Sequence, residues 1–236
     1  MPELLNVNPE AKPPVLDLYL LTWTAGVMDA LSYVRANVFT ANMTGNTVVL
    51  GLALAGTDRW RVFHSALAIC AFAAGVLFGG AVLVRMQASD ERADLRMGTS
   101  LEIPFAIAFS VLWLRFPSGG PAWALAALIA AAACALGIQS AAVWRLRIRG
   151  AVTTFLTGTI TSAIVSVLER NEPAPSEQND ERSSPALLGG MIVLYIAAAF
   201  TGAFLSSVNS PLAAVDAILP LLIVLVRAWL TRPVCI

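Results

Sequence analysis

Charged side chains are scarce in this chain of 236 residues, and so are the residues that usually build catalytic and metal sites. Only 13% of the residues are charged and 58% are hydrophobic, which excludes an ordinary soluble domain. There is a single histidine, and the three cysteines are isolated, so they form neither a CxxC motif nor a disulfide framework. We therefore expect no enzymatic activity, no catalytic residues, no metal and no cofactor.

Sequence motifs of other functional classes are also missing. The formal net charge is zero and no basic patch with interleaved aromatic residues occurs, so no nucleic acid partner is predicted. HExxH, GxSxG, Walker and GxGxxG motifs are absent, which argues against hydrolysis and ATP use. Residues 1–14 lack the regions of a secretory signal, so we expect no cleaved signal peptide. The expected partners are the lipid bilayer and a small solute, and the sequence defines no oligomeric state.

Long apolar stretches, separated by short charged intervals and by Pro and Gly, make up most of the chain. About 20 apolar residues span a bilayer as a helix, and isolated strands cannot satisfy their backbone in lipid. The sequence therefore predicts an all-α, polytopic helical membrane protein whose single integral membrane domain covers 1–236, with a mobile polar loop at 169–186. The eight predicted segments are 18–36, 40–56, 63–85, 101–116, 122–144, 151–168, 187–208 and 211–230.

A short pattern of small and polar residues occurs twice. GVMDA at 26–30 is followed by TANMTGN at 40–46, and GIQSA at 137–141 is followed by TTFLTGT at 153–159. The two copies align with a two-residue insertion. This internal repeat predicts two related four-segment halves, and the predicted halves are 1–116 and 117–236.

The basic residues discriminate between two ways of crossing the membrane. If all eight segments span, eight basic residues lie on one face and seven on the other, without a positive-inside bias. If segments two and six are broken or re-entrant, eleven lie on one face and four on the other. Each half then has three crossings, which inverts the second half, as in many secondary transporters. Residues 40–56 nevertheless reach about 25 Å as a helix, so six to eight membrane segments remain open.

The first half contains a specific motif. GVMDALSY at 26–33 is followed by VFTANMTGNT at 38–47 and by an apolar run that ends at 55. In these residues the chain resembles the YoaK-like family of bacterial membrane proteins, which is catalogued as a domain of unknown function of similar length. The resemblance covers essentially the whole chain, although the second half resembles the family mainly in hydropathy. It implies a multi-pass protein of the bacterial inner membrane and implies no substrate.

Asp29 is the sharpest candidate for a functional residue. It lies inside the first segment, where a lipid-facing carboxylate costs about 2.5–3.5 kcal/mol on the insertion scale, so it should face the bundle interior or a wet cavity. Thr22, Gly26, Asp29 and Tyr33 share one face at helical spacing. This stripe indicates a proton or cation site, and the alternative is a hydrogen bond between helices that only fixes their packing.

Asn42, Thr44, Gly45 and Asn46 open the second segment. Asparagine and threonine side chains compete with helical hydrogen bonds, and glycine adds flexibility, so we predict an interrupted helix here. An interruption exposes free amide groups and the positive end of a half-helix, which can hold an anion or a polar solute. The alternative is again close helix packing, for which small and hydroxyl residues are typical.

The second half echoes this polar stretch without its acid. Thr153, Thr157 and Thr161 recur every four residues and predict a helix face lined by hydroxyl groups. Gln139 and Ser140 stand near the position that Asp29 occupies in the first half, so the two halves are not chemically equivalent. The predicted second-half site residues are Thr157, Gly158 and Thr161.

These features predict a secondary transporter or channel for a small polar or anionic solute, with proton coupling through Asp29. The central site would be formed by Asp29 and the turn at 42–46, faced by residues 157–161. A membrane scaffold or sensor that transports nothing, and whose polar residues only lock helices together, is the alternative. We expect a multi-pass protein of the bacterial inner membrane with both termini in the cytoplasm.

Overall fold

Eight α-helices form the described part of the chain in this computed structural model, and that part contains no β-strand. The structure describes residues 14–86, 91–117, 120–146, 148, 153–154, 156–168 and 184–230. The helices are α1 (Val15–Ala36), α2 (Met43–Gly56), α3 (Arg59–Met86), α4 (Glu91–Arg115), α5 (Ala122–Arg145), α6 (Leu156–Leu168), α7 (Pro185–Ser207) and α8 (Leu212–Leu230). Helices α3, α4, α5, α7 and α8 are long and apolar enough to cross a bilayer. The prediction of an all-α polytopic membrane protein is thereby confirmed.

The predicted and observed helix boundaries differ most at the start of the fourth segment. The fourth segment is predicted from 101, but α4 begins about three turns earlier, at Glu91. Leu95 is buried, and the Asp94 carboxylate binds the Arg145 guanidinium at 2.7 Å, which holds these first turns against α5. Residues 169–183 of the predicted loop 169–186 lie outside the described part of the chain. Ser184 is the N-cap of α7, and residues 185–186 form the start of that helix.

Polar contacts show that α8 runs antiparallel to α1. The Arg227 guanidinium binds the Asp17 carboxylate at 2.9 Å, near the start of α1 and the end of α8. Further along α1, Trp23 donates its indole N–H to the Asp216 carboxylate at 2.9 Å. Asp216 therefore acts as a packing residue between the two helices.

Helix α7 runs parallel to α1 and approaches it closely. The Tyr19 hydroxyl donates to a carbonyl in the first turn of α7 at 3.4 Å. Further along, a Cβ added to Gly26 would lie 2.9 Å from the Ala198 Cβ, and one added to Gly202 would lie 3.2 Å from the Val27 carbonyl oxygen. Only glycine permits this separation of the two backbones at Gly26.

The same kind of contact joins α3 to α5. A Cβ added to Gly137 would lie 3.1 Å from the Gly75 Cα, and one added to Gly79 would lie 3.1 Å from the Ile138 Cα. Gly75 meets Cys134, and the later Gly79 meets the later Ile138, so α3 and α5 are parallel. Helix α4 lies against the other side of α5 and is antiparallel to it, because Asp94 binds Arg145 near the start of α4 and the end of α5.

The two ends of the bundle follow from these directions. The Arg35 guanidinium donates to the carbonyl groups of Trp113 at 3.3 Å and Pro117 at 3.2 Å, so α1 and α4 finish side by side. We call this side the Arg35 end and the opposite side the Arg145 end. Helices α1, α4 and α7 run towards the Arg35 end, and α3, α5 and α8 run away from it, so six helices connect the two ends.

Helices α2 and α6 do not connect the two ends. The chain leaves α1 and begins α3 at the Arg35 end, so α2, with 14 residues or about 21 Å, lies between two points on one side. Similarly, α5 finishes and α7 begins at the Arg145 end, with the 13 residues of α6 between them. The distribution of basic residues in the sequence predicts this arrangement for segments two and six.

Helices α1 and α5 lie at the centre of the bundle, where α1 packs against α5, α7 and α8, and α5 packs against α1, α3 and α4. Their buried faces contain the longest runs of residues without solvent exposure. Large apolar side chains are exposed on the outer helices, as at Leu52, Leu77 and Phe200. Such faces are suited to contact with lipid chains.

Candidate functional site

Asp29 is an acceptor at the junction of three parts of the chain, and only 3% of its surface is exposed. Its Oδ1 accepts hydrogen bonds from the backbone N–H groups of Thr40 and Ala41, both at 2.6 Å, and from the Thr40 hydroxyl at 3.3 Å. Its Oδ2 accepts from the Tyr195 hydroxyl at 2.5 Å. The two backbone N–H groups can only donate, whereas the Thr40 and Tyr195 hydroxyl groups can donate or accept, so this set of partners can bind an ionised carboxylate.

The connection between α1 and α2 folds back into the bundle. Helix α1 ends at Ala36, and Asn37 adopts the left-handed conformation with a φ of 55°, which reverses the chain. The following Val38 and Thr40 are completely buried. Asp29 lies about two turns inside α1, so its bonds to this connection place the start of α2 within the bundle.

Asparagine side chains complete the turn that begins α2. Asn42 is the N-cap, and its side-chain oxygen accepts a hydrogen bond from the Gly45 N–H at 3.0 Å. The fully buried Asn46 amide accepts from the Phe39 N–H at 2.8 Å and donates to the Phe39 carbonyl at 2.6 Å. Helix α2 is continuous from Met43, so Thr44, Gly45 and Asn46 lie in its first turn and do not interrupt it as the sequence predicts. The non-helical backbone is confined to the connection at 37–42, and side chains bind several of its N–H and C=O groups. We call residues 37–46 the polar turn.

Two of the predicted site residues lie on the outer side of the polar turn. Tyr33 is 44% exposed, and its ring stacks on Phe39 with 4.8 Å between the ring centres. Thr44 is also exposed. Helical spacing places Tyr33 about one turn from Asp29, but the Asp29 carboxylate is bound by a tyrosine from α7 instead.

The turn before α6 is held by α5. Gln139 donates its side-chain amide to the Thr153 hydroxyl at 2.7 Å and to the Leu21 carbonyl of α1 at 3.2 Å. The hydroxyl groups of Ser140 and Thr154 form a hydrogen bond of 2.6 Å. Gln139 and Ser140 thus bind the residues before α6, as Asp29 binds the residues before α2.

The predicted second-half residues do not join this polar cluster. Thr157 and Thr161 are exposed, and Thr161 donates its hydroxyl to the Thr157 carbonyl at 3.0 Å, which is a bond within the helix. Gly158 is half-buried between them. The expected hydroxyl face is broken because α6 begins after Thr153, so the four-residue spacing does not continue along one helix.

Tyr195 and Glu102 are polar residues of the interior that no sequence motif identifies. Tyr195 lies in the apolar segment 187–208 without a motif around it, and only its contact with Asp29 reveals its function as a donor. Glu102 is completely buried in α4, and neither of its carboxyl oxygens has a hydrogen-bond partner. The available signal was a carboxylic acid within the predicted membrane segment 101–116.

A cavity of about 230 Å³ lies at the Arg35 end. The Arg35 guanidinium stands over the Trp113 ring, 3.2 Å from the ring centre. Asp29 does not line this cavity, so the cavity and the polar turn are separate features. The cavity is lined by Arg35, Trp113, Leu114, Pro117, Ser206, Asn209, Ser210 and Pro211. Within the described ranges, no three His, Cys, Asp or Glu side chains are grouped as metal ligands.

Comparisons with known proteins place the chain among membrane proteins. The model of a family described as "Protein of unknown function (DUF1275)" matches residues 18–227, which include both short helices. The chain is also 32% identical over 154 residues to the UPF0700 transmembrane protein YoaK of Bacillus subtilis (strain 168). That alignment covers 65% of this chain and 67% of the relative. No solved structure matches the chain.

Proposed function

This chain belongs to the DUF1275 family, and we propose that it is a secondary transporter or channel for a small polar or anionic solute. The observation that carries the proposal is the start of α2 inside the bundle, at the buried Asp29. Discontinuous helices whose N-terminal ends point to the middle of the membrane are typical of substrate sites in secondary transporters. Movement of α2 would free the amide groups of the polar turn for a solute.

We further propose that 1–116 and 117–236 are related halves with inverted orientation. The helix pairings support this, because α1 packs on α7 and α8 as α5 packs on α3 and α4, and α2 packs on α3 as α6 packs on α7. The glycine contacts of α1 with α7 and of α5 with α3 also involve equivalent positions, four residues apart on α7 and on α3. The halves run in opposite directions, as in inverted-repeat transporters.

The chain is a multi-pass membrane protein, and we propose that it lies in the bacterial inner membrane with its termini in the cytoplasm. The Arg145 end would carry eleven basic residues of the sequence and the Arg35 end four, so the positive-inside rule supports a cytoplasmic Arg145 end. The four at the Arg35 end are Arg35, Arg59, Arg61 and Arg115.

Cysteine labelling tests this topology. In a variant without native cysteines, Arg61→Cys and Val208→Cys are expected to react with a membrane-impermeant maleimide in intact spheroplasts, whereas Arg85→Cys should react only after permeabilisation. All three side chains are exposed. If all eight helices crossed, Val208 and Arg85 would share a face and Arg61 would lie on the other, so opposite labelling of Arg61 and Val208 would exclude the six-crossing topology.

Flux into liposomes tests the transport proposal. Vesicles that contain the protein and a trapped pH dye are given an inward proton gradient with formate, nitrate, chloride or phosphate outside. We expect at least one of these anions to accelerate acidification of the lumen at least tenfold over protein-free vesicles, and we expect Asp29→Asn to abolish this flux. Gly51→Ala is the control and should retain it, because a Cβ there has no neighbour within 4 Å.

A scaffold or sensor without transport is the second candidate function. It is favoured by the closed state of the polar turn, in which Asp29 and Asn46 are already bound to protein groups. In that case none of the four anions would cross faster with the protein than without it. The Asp29→Asn substitution would then change only the thermal stability in detergent.

A further inference from the structure

Glu102 is a carboxylic acid in the interior of α4 without a partner. Its exposed fraction is 0%, and neither Oε1 nor Oε2 accepts or donates a hydrogen bond. An ionised carboxylate in such a place would lose its hydration without any compensating charge or donor, which is strongly unfavourable. We propose that Glu102 is a proton-binding site, that it carries a proton in this conformation, and that it acts at the depth of the residues that hold α6.

The register of α4 and α5 places Glu102 level with the residues that hold α6. Gly98 of α4 packs against Ala142 of α5, and the two helices are antiparallel. Four residues further along α4 is Glu102, and four residues back along α5 is Ile138, beside Gln139. Gln139 donates to the Thr153 hydroxyl before α6, so Glu102 and the start of α6 share one depth.

Gln139 also has an unused acceptor at this level. Its Oε1 is buried without a hydrogen-bond partner, although its Nε2 donates twice. A protonated Glu102 offers a hydroxyl donor and an ionised one offers only acceptors. A proton on Glu102 therefore adds a donor at the depth of this unused acceptor, whereas an ionised Glu102 adds only further acceptors.

The helices packed against α4 bring no countercharge to this depth. On α5 the ionisable Arg145 is held by Asp94, and on α8 Asp216 is bound by Trp23 while Arg227 binds Asp17. At 1.5 Å per residue, Asp94 and Arg96 lie about 12 Å and 9 Å along α4 from Glu102. Other ionisable side chains of the neighbouring helices lie towards their ends or on other faces, and they are Arg115 of α4, Cys134 of α5, and Arg59, Arg61, His64, Cys70 and Arg85 of α3.

Helix α4 is also weakened next to the acid. Pro104, two residues after Glu102, has no N–H to give to the carbonyl of Ser100, so the helical hydrogen bond at this point is missing. The Ser110 hydroxyl donates to the Ala214 carbonyl of α8 at 3.2 Å. Because α4 and α8 are antiparallel, Pro104, six residues before Ser110, lies at the same depth as Pro220, six residues after Ala214. The helical hydrogen-bond pattern is therefore interrupted in both helices next to Glu102, and proline sites are where helices bend.

The two buried acids differ in their hydrogen bonds. Asp29 receives only donors, from Thr40, Ala41 and Tyr195, whereas Glu102 receives none. Leu21 is level with Gln139, so Asp29 lies about 12 Å from the depth of Glu102 along α1. Glu102 belongs to the first half, and it thus brings an acid to the depth at which the second half has Gln139 and Ser140. Its use as a coupling site depends on the proposed transport function, but its protonation does not.

Infrared spectroscopy of the purified protein tests the proposal without any transport measurement. The C=O stretch of a neutral carboxylic acid is separate from the amide bands, and we expect this band at neutral pH in the wild type. Glu102→Gln should lose it, whereas Glu102→Asp should keep a shifted band. Asp29→Asn is the matched control, because it removes the other buried acid of the bundle interior and leaves Glu102 in place, so the band assigned to Glu102 should persist.

Stability measurements accompany the spectra and separate a proton site from a packing residue. Glu102 makes no hydrogen bond, so Glu102→Gln and Glu102→Leu should unfold in detergent at the wild-type temperature or above. No acid band in the folded wild type, a full band in Glu102→Gln, or loss of the band in Asp29→Asn would each overturn the proposal. Absence of anion flux in liposomes would leave this spectroscopic result unchanged and would refute only the transport function.

Discussion

Replacement of Asp29 by alanine is expected to lower the free energy of unfolding by about 3 kcal/mol or more. The substitution removes the acceptor of the Thr40 and Ala41 backbone N–H groups and of the Tyr195 hydroxyl, all of which are bound to it in the interior. Each buried donor left without a partner costs about 1–3 kcal/mol. Thermal unfolding of the purified protein in detergent, followed by tryptophan fluorescence, measures the loss.

Asp29→Asn is the matched control for this prediction. The asparagine oxygen can still accept from Thr40 and Ala41, and the Tyr195 hydroxyl can rotate to accept from the new amide, so a loss of about 1 kcal/mol is expected. Tyr195→Phe should cost a similar amount because it leaves one carboxylate oxygen without its donor. Equal stability of Asp29→Ala and Asp29→Asn would show that the hydrogen bonds of the polar turn do not hold α1, α2 and α7 together.

Replacement of Asn46 by leucine is expected to cost about 2–5 kcal/mol. The Asn46 amide binds both the N–H and the C=O of Phe39, and leucine, which is similar in size, can replace neither bond. Two backbone groups would then be buried without partners, and the polar turn would lose its closure. The midpoint of thermal unfolding and the rate of proteolysis in the 37–46 region are the measurements.

Two further variants define what Asn46 contributes. Asn46→Asp keeps the acceptor for the Phe39 N–H but loses the donor to the Phe39 carbonyl, so its stability should fall between those of the wild type and Asn46→Leu. Thr44→Val, in the same turn but exposed, should change the free energy of unfolding by less than about 0.5 kcal/mol. If Thr44→Val were as damaging as Asn46→Leu, general sensitivity of α2 rather than the Phe39 bonds would be responsible.

Hydropathy was sufficient to predict the helices because the bilayer imposes one backbone solution on every long apolar segment. Each of the eight predicted segments corresponds to one observed helix. The early start of α4 was missed because its first turns are stabilised by a tertiary contact, the ion pair of Asp94 and Arg145, and not by local composition. The distribution of basic residues predicted which segments cross the bundle, because basic intervals between segments tend to lie on one side of the membrane.

The interior contacts were only partly predictable. Asp29, Asn42 and Asn46 stood out because polar side chains are costly in an apolar segment, and all three make internal hydrogen bonds. Periodicity misplaced Thr157 and Thr161, since it assumes a continuous helix and the chain turns before α6. A single sequence also does not reveal which residue of a distant helix meets Asp29, because the partner is chosen by the packing of α7 against α1.

The hydrogen bond between Asp29 and Tyr195 joins residues that are separated by 166 positions in the chain. During synthesis, α1 and the polar turn enter the membrane long before α7 has been made. Until then Asp29 lacks its tyrosine donor, and α1 lacks α7 and α8, which are two of the helices against which it packs. The central carboxylate therefore reaches its final surroundings late in biogenesis, and a ribosome that stopped after the first 116 residues would release a fragment with an unfinished core.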